Sequence, residues 1–373
     1  MKIGFDAERA FHNETGLGNF SRSFITGMMK LHPEHEYLLL DTGNPLDLPY
    51  FNRALNDSGA VWKNIQPGFL GKYSRTYGWG AASRREKLDV FHGLSNELPL
   101  DWKSGSVASI VTIHDLIFRR FPETYKSMDR WIYDKKVAFV AKRADMILAT
   151  SHQTKADLED FYPESKGRIE VVFQDCDPGF HYRKRTEAVA KILYKYDIVE
   201  RPYILCVSKL EKRKNHKRLL EAFKKILNLI SEDLVLVGSR GDAADEILDQ
   251  LGDFDGRLRW LGKVETDDLV NLYDGSSFTV FPSVFEGFGI PLLESMRRGK
   301  AIVTSKGSCF EEIAGRSALY ADANSSDEIA EQIFRISTQS ETKAELERLA
   351  KIESKRFDPK ILVEQVHKIY SGL

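Results

Sequence analysis

The residues most able to do chemistry stand close together in FPSVFEGFGIPLLESMRR, positions 281–298, where Glu286 lies in a glycine-rich turn and Glu294 inside the stretch that follows. The run Phe278–Phe281 is aromatic and β-branched, the pattern of a short strand. Gly287 and Gly289 permit a sharp turn with close backbone approach. Pro291 suits the first turn of a helix, where a missing N–H costs nothing, and Gly299 is placed to stop that helix after about Arg298. A strand, turn and helix in this order set amide N–H groups and a positive dipole end at the strand's carboxyl end, where open α/β sheets bind ligands. Amides of that kind suit phosphate, whereas carboxylates suit sugar hydroxyls. The stretch therefore suggests a ligand carrying both groups, such as a nucleotide sugar.

Strand-like and helical runs alternate along nearly the whole chain of 373 residues, which is long enough for two domains. The first half predicts strands at Ile3–Asp6, Tyr37–Leu40, Val90–Phe91, Ser109–Ile113, Met146–Ala149 and Ile169–Phe173. Helices are expected there at about Gly18–Lys30, Tyr125–Lys142 and Gln153–Tyr162. After the polar segment HYRKRTEAVAKILYKYDIVERP come strands at Tyr203–Val207, Leu234–Val237, Leu258–Trp260, Phe278–Phe281 and Ala301–Thr304. Helices between these fall at Lys217–Leu229, Ala243–Leu251, Asp267–Tyr273, Pro291–Arg298 and Asp327–Ser337. Such alternation implies two parallel sheets, each wound on both faces. The fold expected is α/β, with two Rossmann-like domains facing across a cleft and a boundary near Pro178–Pro202. A first domain over 1–185 regains the helix 357–373, and a second covers 200–356.

Composition narrows the function classes. A net charge of −1 gives no pull toward nucleic acid. Cys176, Cys206 and Cys309 form no metal spacing and read as buried thiols of a reducing compartment. MKIGFDA opens as a strand rather than a signal peptide, and no window approaches the ~18 apolar residues of a membrane span. The expected location is the cytoplasm, at most resting on a membrane's inner face.

EGFGIPLLE resembles the E-x7-E element of retaining nucleotide-sugar glycosyltransferases of the GT-B fold, in particular glycosyltransferase family 4. Further segments resemble that family in its own order: VTIHDL, ILATSHQTKADL, VVFQDCDPGF, LCVSKLEKRKNHKRLLEAF and SCFEEIAG. The mannosyltransferase-like members that build surface polysaccharides are the most similar in character. By this resemblance Glu294 accepts from the donor ribose, Glu286 meets hydroxyls of the transferred sugar, and the N–H groups of Phe288 and Gly289 lie near the diphosphate. Departing diphosphate gathers negative charge that must be stabilised; Lys214, then Arg213, are the cations expected to do so. Ser208-Lys209 stands where the family often has glycine and arginine, so Lys209 supplies a point charge without a two-pronged fit. His114, at the end of SIVTI, is placed against the reacting centre, and the loop holding Gly16 and Gly18 shapes the donor phosphate site. The last helix, KRFDPKILVEQVHKIYSGL, is a brace in which Phe357 and Tyr370 pack.

Several residues admit competing readings. GLGNFS imitates a dinucleotide fingerprint with Asp41 as its ribose acid, but its glycines come too long after the strand and Ser21 takes the third glycine position. The triplets Asp175-Cys-Asp177 and Asp253-Phe-Asp255 read as incidental, and no metal or other cofactor is expected. Fourteen basic against eight acidic residues between Lys72 and Arg143, interleaved with aromatics, could rest on anionic lipid or hold a lipid-linked acceptor; Arg119 and Arg120 are the residues to reverse. The sequence thus predicts a metal-independent, retaining hexosyltransferase with GDP-mannose first and a UDP-hexose second as donor, and a saccharide acceptor. No carboxylate is placed as a nucleophile, which favours front-face attack with the departing phosphate taking the proton, a mechanism implied by the resemblance. A nucleotide-sugar epimerase and a non-catalytic nucleotide-sugar-binding protein are the alternatives.

Overall fold

A computed structural model describes residues 1–13, 16–43, 49–64, 75–182, 186–198 and 201–373, with the side chains of 49–50 and 62–64 left aside. The chain divides into two compact units, Met1–Cys176 with Phe357–Leu373, and Asp177–Arg356. The division falls at Asp177, so the polar segment expected to act as a linker belongs to the second unit. Its helix Thr186–Lys195 packs on the helix Thr266–Gly275, held by Lys195 and Tyr196 to Asp268.

The first unit is built on β1 (Lys2–Asp6), β2 (Glu36–Asp41), β3 (Val61–Asn64), β4 (Val90–Gly93), β5 (Ala108–Ile113), β6 (Met146–Ala149) and β7 (Ile169–Val171). These form a parallel sheet in the order β3-β2-β1-β4-β5-β6-β7. The order reverses between β1 and β4. The C-terminal helix Pro359–Ser371 starts with its proline in the first turn and an Asp358 side chain accepting from Lys360 N at 2.9 Å. It buries Leu362, Val363, Val366 and Tyr370, and burial of this kind contributes roughly 1.5–3 kcal/mol per large side chain. Val363 meets the helix Gly16–Leu31 at Gly27, where a Cβ would lie 2.9 Å from its methyl group. Phe357 packs on Phe173, and the Tyr370 hydroxyl lies 2.6 Å from His92 Nδ1.

The second unit carries β8 (Tyr203–Val207), β9 (Asp233–Val237), β10 (Leu258–Trp260), β11 (Phe278–Phe281), β12 (Ile302–Ser305) and β13 (Ala318–Ala321). The sheet is parallel in the order β10-β9-β8-β11-β12-β13, reversing between β8 and β11. β9, DLVLV, is buried along its whole length, as a central parallel strand covered on both faces should be. The helix His216–Ile226 turns Leu219, Leu220, Phe223 and Ile226 into the same core.

Several elements were absent from the sequence reading: the edge strands β3 and β13 and the helices Glu8–His12, Pro49–Ser58, Trp79–Arg85, Thr186–Lys195 and Ser340–Glu353. The two strands are short sheet-edge elements, and Glu8–His12 and Trp79–Arg85 are too short for periodicity to show.

Candidate active site

In the second unit the residues after β8 and β11 meet at the reversal point of the sheet. After β8 the segment Lys212–Lys214 makes one tight turn, and Asn215 follows in the left-handed region at φ 63°. Asn215 Nδ2 donates to the Pro282 carbonyl at 2.9 Å and the Ala323 carbonyl at 2.8 Å. Val284 N donates to the Arg213 carbonyl at 2.9 Å, so the two loops are stitched backbone to backbone. On this frame Lys214 Nζ sits 2.5 Å from Glu286 Oε1, and Arg213 Nη1 sits 3.0 Å from Glu286 Oε2. Arg213 also donates to the Phe285 carbonyl at 2.5 Å. Ser308 Oγ donates to the Glu286 carbonyl at 2.8 Å and accepts from its N–H at 3.2 Å, fixing the turn from below.

Burial alone would raise the Glu286 pKa, but Lys214 and Arg213 outweigh it and hold the carboxyl at about 2. Lys209 Nζ lies half-exposed, 3.0 Å from Glu211 Oε1, and Arg213 reaches the same carboxylate at 3.5 Å. Three cations thus face two carboxylates, leaving one positive charge over for an incoming anion. The buried His216 ring, 3.0 Å from Ser208 Oγ, is kept uncharged by burial and by Lys214, its pKa lowered to about 4.

Gly289, at φ 85°, opens the helix Ile290–Arg297, which no side chain caps. That backbone angle disfavours any residue with a Cβ. One turn in, Glu294 is buried, and its Oε2 accepts from the Tyr273 hydroxyl at 2.7 Å. Burial pushes its pKa up to about 7, the hydrogen bond opposes this, and Asp177 adds to it. Glu294 therefore titrates near neutrality while Glu286 stays ionised.

The first unit assembles a different set. His114 follows β5, buried, with Nε2 at 2.8 Å from the Leu94 carbonyl. A carbonyl only accepts, so Nε2 carries a proton. Burial lowers its pKa, Gln174 adds a hydrogen bond to the ring, and Phe20 meets it edge-on at 4.9 Å. Gly16 and Gly18 do not lie in a loop between strand and helix: the short helix Glu8–His12 intervenes, and both sit in the first turn of Gly16–Leu31. Gly18 N donates to Asn13 Oδ1 at 3.1 Å, and a Cβ there would fall 1.7 Å from the Asn13 carbonyl oxygen.

A part-buried ionic group at this sheet's own reversal point is not legible in the sequence. Arg75 Nη2 donates to Asp6 Oδ2 at 2.8 Å and to Ser95 Oγ at 2.9 Å, and Arg75 lies 3.7 Å from Glu97, which Lys136 meets at 2.9 Å. Burial raises the Asp6 pKa despite Arg75, whereas Glu97 is lowered overall by Arg75 and Lys136 acting against burial. Its members are scattered between positions 6 and 136, and no local motif joins them.

Other singled-out residues have ordinary partners. Asp41 accepts from His12 at 2.8 Å, a structural pairing rather than an open ribose acid. In the triplets, Asp177 accepts from Gly179 N at 2.8 Å and Asp253 lies 3.8 Å from Lys224. Arg120 binds Asp157 at 2.7 Å and Arg119 binds Asp134 at 2.8 Å, so both are packed ion pairs. Lys72, which opens the basic and aromatic region, lies outside the described residues. Within that region the helix Ser127–Arg143 exposes Met128, Trp131, Ile132 and Tyr133.

Comparison with known proteins agrees with this architecture. The model of "Glycosyltransferase Family 4" matches residues 16–174 and that of "Glycosyl transferases group 1" matches residues 191–353. The chain is 28% identical over 352 residues to the O-antigen chain mannosyltransferase B of Escherichia coli, covering 90% of each. A glycosyltransferase from Rickettsia africae superposes with a TM-score of 0.76 at 16% identity, over 100% of this chain and 98% of that one. Anabaena HepE, solved with UDP and glucose, gives 0.73 at 17% identity over 100% of both chains. These likenesses make the architecture the GT-B fold.

Proposed function

We infer, for a chain that belongs to the glycosyltransferases pairing a family 4 domain with a group 1 domain, that it moves mannose from a nucleotide sugar onto a growing surface polysaccharide. The observation that carries this reading is the Glu286 carboxylate clamped by Lys214 and Arg213 at the reversal point of the second sheet. The spare positive charge suits a diphosphate, and a preorganised cation beside a departing phosphate stabilises charge where it develops. Glu286 and Glu294 then accept from hydroxyls of the sugar and the ribose. The likeness to the mannosyltransferase of Escherichia coli O-antigen supports mannose and a saccharide acceptor; GDP-mannose is the first donor to try, and a UDP-hexose the second.

Transfer proceeds with retention, by front-face attack in which the departing phosphate takes the acceptor's proton. His114, neutral and bonded through Nε2–H, steadies the reacting sugar by position and polarity rather than by moving a proton. No metal takes part in this scheme. The acceptor binds the first unit, whose part-buried group of two cations and two anions at Asp6, Arg75, Glu97 and Lys136 is balanced and suits neutral hydroxyls.

Incubation with labelled GDP-mannose or UDP-hexoses, with and without oligosaccharide acceptors and with chelator present, tests the reading. The expected result is an acceptor-dependent product whose anomeric configuration, read by NMR, equals that of the donor. Inversion, or a need for added Mg²⁺, contradicts the mechanism; sugar interconversion without acceptor marks an epimerase.

The exposed stripe Met128, Trp131, Ile132 and Lys135, spaced as one helical face with Lys135 Nζ 6.0 Å from the Trp131 ring, supports peripheral contact with an anionic bilayer. No helix among the described residues is long and apolar enough to cross a membrane. A Trp131→Glu/Lys135→Glu variant should lose flotation with phosphatidylglycerol vesicles; undiminished flotation removes this surface from the account.

A further inference from the structure

Away from both sheet reversal points, three histidines converge beneath the C-terminal helix. His32 directly follows the helix Gly16–Leu31, Glu34 and His35 lead into β2, and His367 projects from the helix Pro359–Ser371. His35 Nε2 lies 2.9 Å from His367 Nε2 and 3.6 Å from Glu34 Oε1, which in turn lies 3.1 Å from His32 Nδ1. The four donor atoms fall within 4.8 Å of one another. A tetrahedral zinc with bonds of about 2.0–2.1 Å has donor atoms about 3.3 Å apart, so the contact distances already bracket the required edge.

Two further observations point the same way. His32 is only 8% exposed, and its Nε2 has no hydrogen-bond partner among the described residues. It faces Glu364 Oε1 at 3.6 Å, too long for a hydrogen bond, yet the placement of a carboxylate behind a ligating imidazole. The turn that presents His32 and His35 is fixed, with the Tyr37 hydroxyl 2.8 Å from the His32 carbonyl and 3.0 Å from that of Met28.

We propose that His32 Nδ1, His35 Nε2, His367 Nε2 and Glu34 Oε1 form a site for one zinc-class divalent ion that clamps the C-terminal helix to the turn before β2. Imidazole nitrogens with one carboxylate suit Zn²⁺ and its neighbours rather than Mg²⁺, which prefers an all-oxygen shell. The His32 and His367 rings now stack at 3.6 Å, so capture turns one of them about its soft Cβ–Cγ torsion. The ion acts on the brace and takes no part in sugar transfer.

The test uses the full chain without an affinity tag, stripped with chelator and then titrated with ZnCl₂. Wild type should retain about one zinc per chain after desalting. Its thermal midpoint should rise with Zn²⁺ and stay unchanged with Mg²⁺. A His32→Gln/His367→Gln variant should bind more than about a hundredfold more weakly and lose the thermal response, while Glu364→Gln weakens binding by about tenfold. His12→Gln, which removes the histidine of the separate Glu8, His12 and Asp41 group, should bind as wild type does. Circular dichroism in chelator checks that each variant folds; if the double variant does not, wild type and Glu364→Gln decide. No retained zinc in wild type, equal retention in a folded double variant, or an unchanged affinity in Glu364→Gln overturns the proposal.

Discussion

The two sheets reverse their strand order in the same way, yet the ionic groups at the two reversal points are balanced differently. After β8 and β11, Glu286 has Lys214 and Arg213 against it, and its pKa falls to about 2. Beside β1 and β4, Asp6 shares Arg75 with Glu97, and burial wins, so the Asp6 pKa rises. Similar sheets thus shift Asp6 and Glu286 in opposite directions, because two cations face Glu286 whereas Asp6 shares Arg75 with Glu97. A surplus of cations suits phosphate by charge, whereas a balanced group suits neutral hydroxyls or the holding of loops. Substitutions at the two points should therefore fail in different ways.

The largest effect is expected where no spare cation exists. Arg75→Met leaves two buried carboxylates with one cation between them and should cost about 3–5 kcal/mol of stability at neutral pH, read by urea unfolding. A loss below about 1 kcal/mol would mean that solvent reaches the group. Lys214→Met should instead leave a folded protein, since Arg213 still pairs with Glu286, and lower kcat by about a hundredfold to a thousandfold. If only KM changes, Lys214 binds ground state and transition state alike.

Glu294 sharpens the contrast within the second unit. Its pKa is raised from 4.5 to about 7, so the folded protein holds a proton that the unfolded chain has lost across that window. Its contribution to stability therefore declines as pH rises from about 4.5 to about 7, on the order of 3 kcal/mol, and levels off above. Glu286 acts in the opposite sense, stabilising above about 4.5 and losing this as pH falls toward about 2. Urea midpoints at pH 5 and pH 8 should converge in Glu294→Gln relative to wild type. Lys209→Ala, which removes the spare positive charge, should raise donor KM, though by less than about tenfold because its amine is half-exposed beside Glu211.

Legibility in the sequence followed the same division. The second unit's site lies in two short loops, each directly after a strand whose bounds, Tyr203–Val207 and Phe278–Phe281, the apolar runs alone predict. Lys214, Arg213, Glu286 and Glu294 could be named there because motif and strand end coincide. Their mutual clamp was not legible, because a pairing across 72 positions depends on which strands become neighbours. Asn215 was missed as well: it joins both loops through its amide, and only its left-handed backbone reveals that role. In the first unit Arg75 lies 69 positions from Asp6 without a local pattern, so neither residue drew notice. His114 could be placed at a strand end, but its bond to the Leu94 carbonyl, which sets its tautomer, needs the fold. The histidines at positions 32, 35 and 367 tell the same story, since one of them comes from the far end of the chain.

A crystal structure of the protein with GDP or UDP bound tests the central claim most directly. The account predicts the diphosphate at the carboxyl ends of β8 and β11, within hydrogen-bond reach of Lys214 and the amides of residues 287–289, with the ribose hydroxyls donating to Glu294. A nucleotide seated elsewhere, with the Lys214–Glu286 pair undisturbed and Glu294 still bonded only to Tyr273, would contradict it.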